Sequence, residues 1–103
     1  MDPERRRFPR QAFIATAEVR AETNGSRLDA RISDISEAGC YVDTINPLPD
    51  GTAVRVKISN ESQVFEAGAT VVYSHTHLGM GLCFREVQPG SRTILRSWGI
   101  PSA

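Results

Sequence analysis

The chain has 103 residues, which suffices for one domain with its own core and leaves no room for a second domain. Its hydrophobic fraction of 40% and charged fraction of 23% are those of a soluble globular protein and argue against a disordered one. Lys and Arg together number 12, as do Asp and Glu, so no overall charge favours a nucleic-acid or membrane partner.

The first eleven residues are predicted to form a charged arm. They show no hydrophobic period, and residues 5 to 10 contain four arginines, at positions 5, 6, 7 and 10. Arginine presents a planar fork of donors that matches both phosphate oxygens and the O6/N7 edge of guanine. The arm is therefore either an anion-binding segment or a solvated basic tail, and its composition does not decide between the two.

Alternating apolar residues predict about six strands between residues 12 and 86. Short strands at regular spacing are typical of a sandwich or a closed barrel, and we expect closure because it removes exposed strand edges. Gly68 indicates a bulge or bend within the fifth strand. The apolar face of that strand is predicted to run from Phe65 to Tyr73. The strands are expected at residues 13–22, 28–33, 40–45, 54–59, 64–74 and 77–84.

A short amphipathic helix is predicted over residues 89–99, after the last strand. Ile94, Leu95 and Trp98 share one side of it, and Trp98 should hold the helix across the barrel. Ser91 is expected to cap its first turn, and Pro101 prevents its continuation. We expect a single domain over residues 1–103, made of the arm, the barrel and this helix.

Two further segments could carry a site. Asp34-Ile35-Ser36-Glu37-Ala38-Gly39 interrupts the alternation and can form a tight turn whose side chains bond its own backbone. Such a turn also exposes amide groups and a carboxylate that can accept hydrogen bonds from guanine. Gly79 and Gly81 indicate that a bulky neighbour, either another strand or the helix, passes close to the last strand. A purely structural role explains each segment taken by itself.

The sequence indicates neither an enzyme nor a metal site. Cys40 and Cys83 lack metal or redox spacing, so we expect reduced thiols, although a disulfide across the barrel interior stays open. His75 and His77 flank a turn without a third ligand at a suitable spacing. Ser36 has no histidine at motif distance. No signal peptide or membrane-spanning stretch is found, so a cytoplasmic protein is expected.

Taken in order, three segments resemble the PilZ domain family. They are Arg6-x-x-x-Arg10, then Asp34-x-Ser36-x-x-Gly39, then a late strand with Gly79-x-Gly81-Leu82-x-Phe84. The resemblance covers nearly the whole chain, and the order and spacing of the segments make it specific. It implies a six-stranded antiparallel barrel with a C-terminal helix that binds the bacterial second messenger cyclic di-GMP and needs no cofactor.

The resemblance also assigns roles to the arginines of the arm. Arg6 and Arg10 would clamp guanine edges and phosphates of the ligand. Arg5 precedes the first motif, and an arginine there is similar to members of the family that hold a stacked pair of ligand molecules.

The second motif supplies the other ligand-binding residues that the resemblance implies. Asp34 and Ser36 would bond the other guanine and the backbone, while Gly39 would let the ligand approach. The resulting function is a receptor whose arm rearranges on binding and signals to an unidentified protein partner. A homodimer stays open, because the ligand itself could bridge two chains.

Two alternatives to the receptor remain. The first is a PilZ-like adaptor that has lost the ligand and acts through protein contacts alone. Intact Arg6, Arg10, Asp34, Ser36 and Gly39 favour the receptor, since a degenerate member should lack some of them. The second is a barrel that stacks single-stranded nucleic acid on exposed aromatic side chains. Most aromatic residues here fall on apolar strand faces, so we expect no DNA or RNA partner.

Overall fold

In a computed structural model of the chain, which describes residues 11–100, six strands close into one antiparallel barrel. The strand order around the barrel is β1-β2-β3-β6-β5-β4, and a short helix follows the last strand. The closed six-stranded barrel and the C-terminal helix confirm the predicted fold. The elements are β1 (Gln11–Ala21), β2 (Arg27–Ile35), β3 (Gly39–Asp43), β4 (Ala53–Asn60), β5 (Gln63–His75), β6 (Gly79–Val87) and α1 (Ser91–Ser97).

The barrel interior is filled by the alternate apolar side chains of every strand. Along β1, Ala15, Ala17 and Val19 are buried, whereas Thr16 and Arg20 between and beyond them are exposed. The period of two in the sequence therefore corresponds to one face in the core and one face in water. Each fully buried Val, Ile or Phe contributes about 1.5–3 kcal/mol relative to an exposed side chain.

Bulges interrupt this alternation where β2 pairs with β3 and where β5 pairs with β6. The register of β2 against β3 shifts between Ile32 and Asp34, which makes Ser33 an extra residue. The register of β5 against β6 also shifts twice. At Gly68 the extra residue is Arg85 on β6, so this bulge lies in the facing strand and not in the fifth strand, where Gly68 predicted it. Between Val71 and Tyr73 the extra residue is Val72 on β5. Each extra residue reverses which side of the barrel the following side chains occupy.

The helix α1 packs against β5 and begins and ends two residues inside the predicted range. Leu95 is buried, and the ring of Trp98 stacks on that of Phe13 with centroids 5.0 Å apart. The prediction that Ser91 caps the helix is wrong. Gly90 occupies the N-cap position in a left-handed conformation, without a side-chain cap. Ser91 is buried, and its Oγ instead accepts a hydrogen bond from the N–H of Glu66 at 3.1 Å.

Both cysteines are free thiols. Gly39, the neighbour of Cys40 in the chain, is the residue that pairs with Cys83 across β3 and β6, so the two cysteines lie on opposite sides of the sheet. Cys40 is buried in the core and Cys83 is half-buried on the outside. The structure therefore rules out a disulfide between Cys40 and Cys83 across the barrel interior.

Candidate functional site

The second motif forms the tight connection between β2 and β3. Ser36 is buried, and its Oγ accepts hydrogen bonds from the N–H groups of Ala38 at 3.1 Å and Gly39 at 3.3 Å. The N–H of Ser36 in turn donates to the carbonyl oxygen of Gly39 at 2.8 Å. Ala38 is tied to the barrel as well, because its carbonyl oxygen accepts from the N–H of Phe84 at 2.7 Å. Ser36 thus organises a rigid turn from within.

Gly39 allows a close approach between β3 and β6. A Cβ atom at this position would overlap the carbonyl oxygen of Leu82 and would also lie 3.3 Å from the Cα of Cys83. Because both obstacles are backbone atoms, any residue larger than glycine would push the two strands apart. The structure therefore gives Gly39 a role in closing the barrel, and its predicted role in admitting the ligand stays a prediction.

Asp34 stands on the outer face of the barrel because of the bulge at Ser33. Without the extra residue, Asp34 would follow Ile32 into the core by the period of two. Instead Asp34 pairs with Tyr41 on β3, and Ile35 takes the inward position opposite Cys40. Asp34 is half-buried, and one oxygen of the carboxylate predicted to meet a guanine, Oδ1, is shielded from solvent.

The register of β1 brings the start of the barrel beside the second motif. Arg5, Arg6 and Arg10 lie outside the described residues, and β1 begins at Gln11, directly after Arg10 in the chain. Gln11 pairs with Ile35 and Ala12 pairs with Asp34. Since paired strands lie about 4.8 Å apart, the chain enters the barrel one strand spacing from the second motif.

The two glycines of the third motif lie beneath tyrosine rings. A Cβ at Gly79 would overlap the ring of Tyr41 and the carbonyl oxygen of Val42, both on β3. A Cβ at Gly81 would overlap the ring of Tyr73 on β5. The predicted close approach is confirmed, and the neighbours that make it are the two adjacent strands rather than the helix.

Tyr41, Tyr73 and His75 form a cluster that sequence reasoning missed. The ring centroids of the two tyrosines are 6.1 Å apart, and those of Tyr73 and His75 are 5.2 Å apart. The hydroxyl of Tyr41 lies 3.2 Å from Nδ1 of His75. Burial, aided by the neighbouring Tyr73, Asp43 and Asp34, raises the pKa of Tyr41 above that of an ordinary phenol.

Two sequence predictions are corrected by this cluster. Tyr73 was placed on the apolar face of its strand with Phe65, but the bulge between Val71 and Tyr73 puts it outside, half-buried. His75 was expected in a loop but is the last residue of β5, whereas His77 is an exposed turn residue with a φ of 67°. Aromatic surface is therefore present on the outside of the barrel as well as in its core.

Comparison with known families identifies the fold. The family model described as "PilZ domain" matches residues 4–98 of the chain. The chain belongs to the PilZ domain family. This confirms the resemblance carried by the three motifs, and the match includes the part of the arm that holds Arg5, Arg6 and Arg10.

Solved structures share the fold of this PilZ domain at low sequence identity. The inhibitor of motility MotI/DgrA from Bacillus subtilis aligns with a TM-score of 0.73 and 19% identity over 91% of this chain. This chain spans 49% of that protein. The PilZ domain of CeSA from a cellulose-synthesizing bacterium gives 0.66 and 15%, with 88% of this chain and 96% of that chain covered. A search of curated proteins finds no match.

A third neighbour was solved with a nucleotide. The PilZ domain of YcgR from Escherichia coli, with c-di-GMP, aligns with a TM-score of 0.60 and 18% identity. The alignment covers 90% of this chain and 85% of that one. At these identities the three likenesses show the fold alone.

A small cavity adjoins the turn of this PilZ domain on the side of the helix. It encloses about 240 Å³ and is lined by Glu37 from the turn and by Arg92, Leu95, Arg96 and Ile100. Nη1 of Arg92 lies 3.9 Å from Oε1 of Glu37, and the arginine side chain is mostly exposed. Such an exposed pair contributes little to stability.

Residues 11–100 offer neither a metal site nor a membrane-spanning helix. No three His, Cys, Asp or Glu side chains in this range are grouped so that they could hold a metal ion. Over the same part of the chain, no helix is long and apolar enough to cross a membrane.

Proposed function

We propose that this PilZ domain is a cytoplasmic receptor for cyclic di-GMP that signals to a protein partner when its arm closes over the ligand. The observation that carries the proposal is the register of β1, which places Gln11 opposite Ile35 and Ala12 opposite Asp34. The chain therefore enters β1 beside the second motif, at the residue that follows Arg10 in the sequence. The solved PilZ domain of YcgR with c-di-GMP supports the choice of ligand.

The chemistry of the two motifs suits the two halves of this ligand. Cyclic di-GMP carries two phosphates and two guanines, and the fork of Arg6 or Arg10 matches either feature. The carboxylate of Asp34 accepts hydrogen bonds from the N1–H and the amino group of guanine. Because Ser36 fixes the turn through the Ala38 and Gly39 amides, the ligand meets a preorganised surface.

The arm supplies the conformational response. A segment that becomes ordered on binding gives up conformational entropy, which lowers affinity but couples the ligand to a change of shape. Arg5 adds a further cation, which would allow a second, stacked ligand molecule to bind. The protein partner then reads the new surface that the arm and barrel present together.

Isothermal titration calorimetry of the full chain with cyclic di-GMP tests the proposal. GTP and cyclic di-AMP are titrated separately as controls. We expect saturable binding of cyclic di-GMP alone. Losing a bidentate contact costs about 1–3 kcal/mol, so Arg10→Ala or Asp34→Asn should weaken binding about 5- to 150-fold. The ratio of ligand to protein at saturation reports on the role given to Arg5.

Matched controls come from the same two strands, away from the motifs. Arg20→Ala lies near the other end of β1, where Arg20 bonds to Glu18 and to the carbonyl oxygen of Gly25. Asp29→Asn lies on the exposed part of β2. Both controls should bind like the wild type. No heat and an unshifted melting curve with wild-type protein would reject the receptor in favour of the ligand-free adaptor.

A further inference from the structure

We call Tyr41, Tyr73 and His75 the aromatic ledge. Tyr41 and Tyr73 continue the row of residues that begins at Asp34, and His75 lies in the next row, opposite Gly79. Asp34 pairs with Tyr41, Tyr41 with Gly81, and Gly81 with Tyr73, so one line of cross-strand partners runs over β2, β3, β6 and β5. Cross-strand partners share a face of the sheet, with Cβ atoms about 4.5–5.5 Å apart. The ledge therefore adjoins the carboxylate of the second motif on the outside of the barrel.

The glycines of β6 leave space for the tyrosine rings of the ledge to lie against the strand. Because Gly79 and Gly81 have no side chains, the rings of Tyr41 and Tyr73 lie over the backbone of β6 instead of standing away from it. The planes of the Tyr41 and Tyr73 rings are inclined by 30° to each other, with their centroids 6.1 Å apart. Both tyrosines are half-buried and His75 is exposed, so part of this aromatic surface faces water.

The carboxylates beside the ledge favour a planar base with hydrogen-bond donors on its edge. Asp34 begins the row, and Asp43 lies in the next row, opposite Gly79. The amide and amino hydrogens on the edge of guanine are donors that suit such carboxylates. A base whose edge is held by Asp34 would extend its face over the next strands, where the tyrosine rings lie.

We propose that the aromatic ledge is the stacking surface for a guanine of the bound nucleotide, with the rings of Tyr41 and Tyr73 under the base and Asp34 at its edge. This inference rests on the proposed function and goes beyond it, because the three motifs include no aromatic residue of the ledge. Stacking is insensitive to the identity of the base. The ledge therefore supplies affinity, and Asp34 supplies the preference for guanine.

The test compares Tyr73→Leu, which removes the ring but still covers Gly81, with Tyr73→Phe, which keeps the ring. Affinities are measured by calorimetry with cyclic di-GMP. Because Tyr73→Leu loses the stacking on one base, its affinity for cyclic di-GMP should be about 5- to 150-fold weaker than that of the wild type. The affinity of Tyr73→Phe should stay within about twofold of wild type. Val64→Ala, an exposed apolar change at the opposite end of β5, is the control and should bind like the wild type.

A second readout keeps the inference falsifiable if Tyr73→Leu does not fold. The chain has only two tyrosines, so their ring protons can be assigned in wild-type protein by NMR. A guanine stacked on the ledge shifts these resonances upfield when cyclic di-GMP is added. Binding with unshifted tyrosine rings, or with unchanged affinity in Tyr73→Leu, would overturn the ledge and leave the receptor intact. Failure of wild-type protein to bind would overturn both.

Discussion

Replacing Gly39 with alanine tests whether β3 and β6 can approach each other only because position 39 has no side chain. The new Cβ would overlap the carbonyl oxygen of Leu82 and press on the Cα of Cys83. Both are atoms of the β6 backbone, so no side-chain rotation relieves the overlap and the paired strands must separate. Overpacking a well-packed site costs about 1–3 kcal/mol, occasionally more. We expect about 3 kcal/mol, which lowers the melting temperature of a domain this size by about 12–24 °C.

The matched control is Gly68→Ala, the same substitution in β5. The nearest atom to a Cβ at Gly68 is Nη1 of Arg55 at 3.1 Å, the far end of a flexible side chain that can move aside. We expect a change within about 1 kcal/mol of wild type. Both variants are compared by thermal unfolding followed by circular dichroism, without ligand. If Gly39→Ala melts within about 4 °C of Gly68→Ala, the argument about strand approach is wrong.

Two further predictions concern the turn and the helix. Ser36→Ala removes the acceptor for the amides of Ala38 and Gly39 and should cost about 1–3 kcal/mol in urea unfolding; an unchanged midpoint would show that the turn does not need the hydroxyl. Trp98→Ala removes the ring stacked on Phe13 and should cost about 3 kcal/mol, the low end for aromatic truncation because Trp98 is half-buried. A thermal midpoint equal to wild type would mean that the helix is not held by this contact.

The sequence predicted the barrel because the period of two is a local property that each strand displays by itself. Ala15, Ala17 and Val19 face the core as their spacing requires. The pattern could not show the bulge between Val71 and Tyr73, which depends on how β5 pairs with β6. Tyr73 was therefore placed on the wrong side of the sheet.

Other misses have the same origin in contacts between distant segments. Ser91 has the chemistry of a helix cap, but the Glu66 amide of β5 engages its hydroxyl instead. The register of β3 against β6 decides that Cys83 faces away from Cys40. This register cannot be read from the sequence of either strand alone.

The candidate site was predicted in parts and assembled only by the fold. The sequence singled out Asp34, Ser36 and Gly39 as a turn with exposed polar groups, and the structure forms that turn. The pairing of Ala12 with Asp34 brings the start of the barrel to this turn. The aromatic ledge could not have been predicted, since its residues come from separate strands and meet over the glycines of β6.

The most direct test of the account is a ¹H–¹⁵N NMR titration of the full chain with cyclic di-GMP. We expect saturable shifts in the amides of residues 34–39 and in those of Gln11 and Ala12, which pair with Ile35 and Asp34. No change is expected at Arg20, near the far end of the β1 and β4 pair, or at Lys57, which pairs with Glu18. An unaltered spectrum, or shifts confined to β1 and β4 around Arg20 and Lys57, would contradict the claim that the two motifs form one nucleotide site.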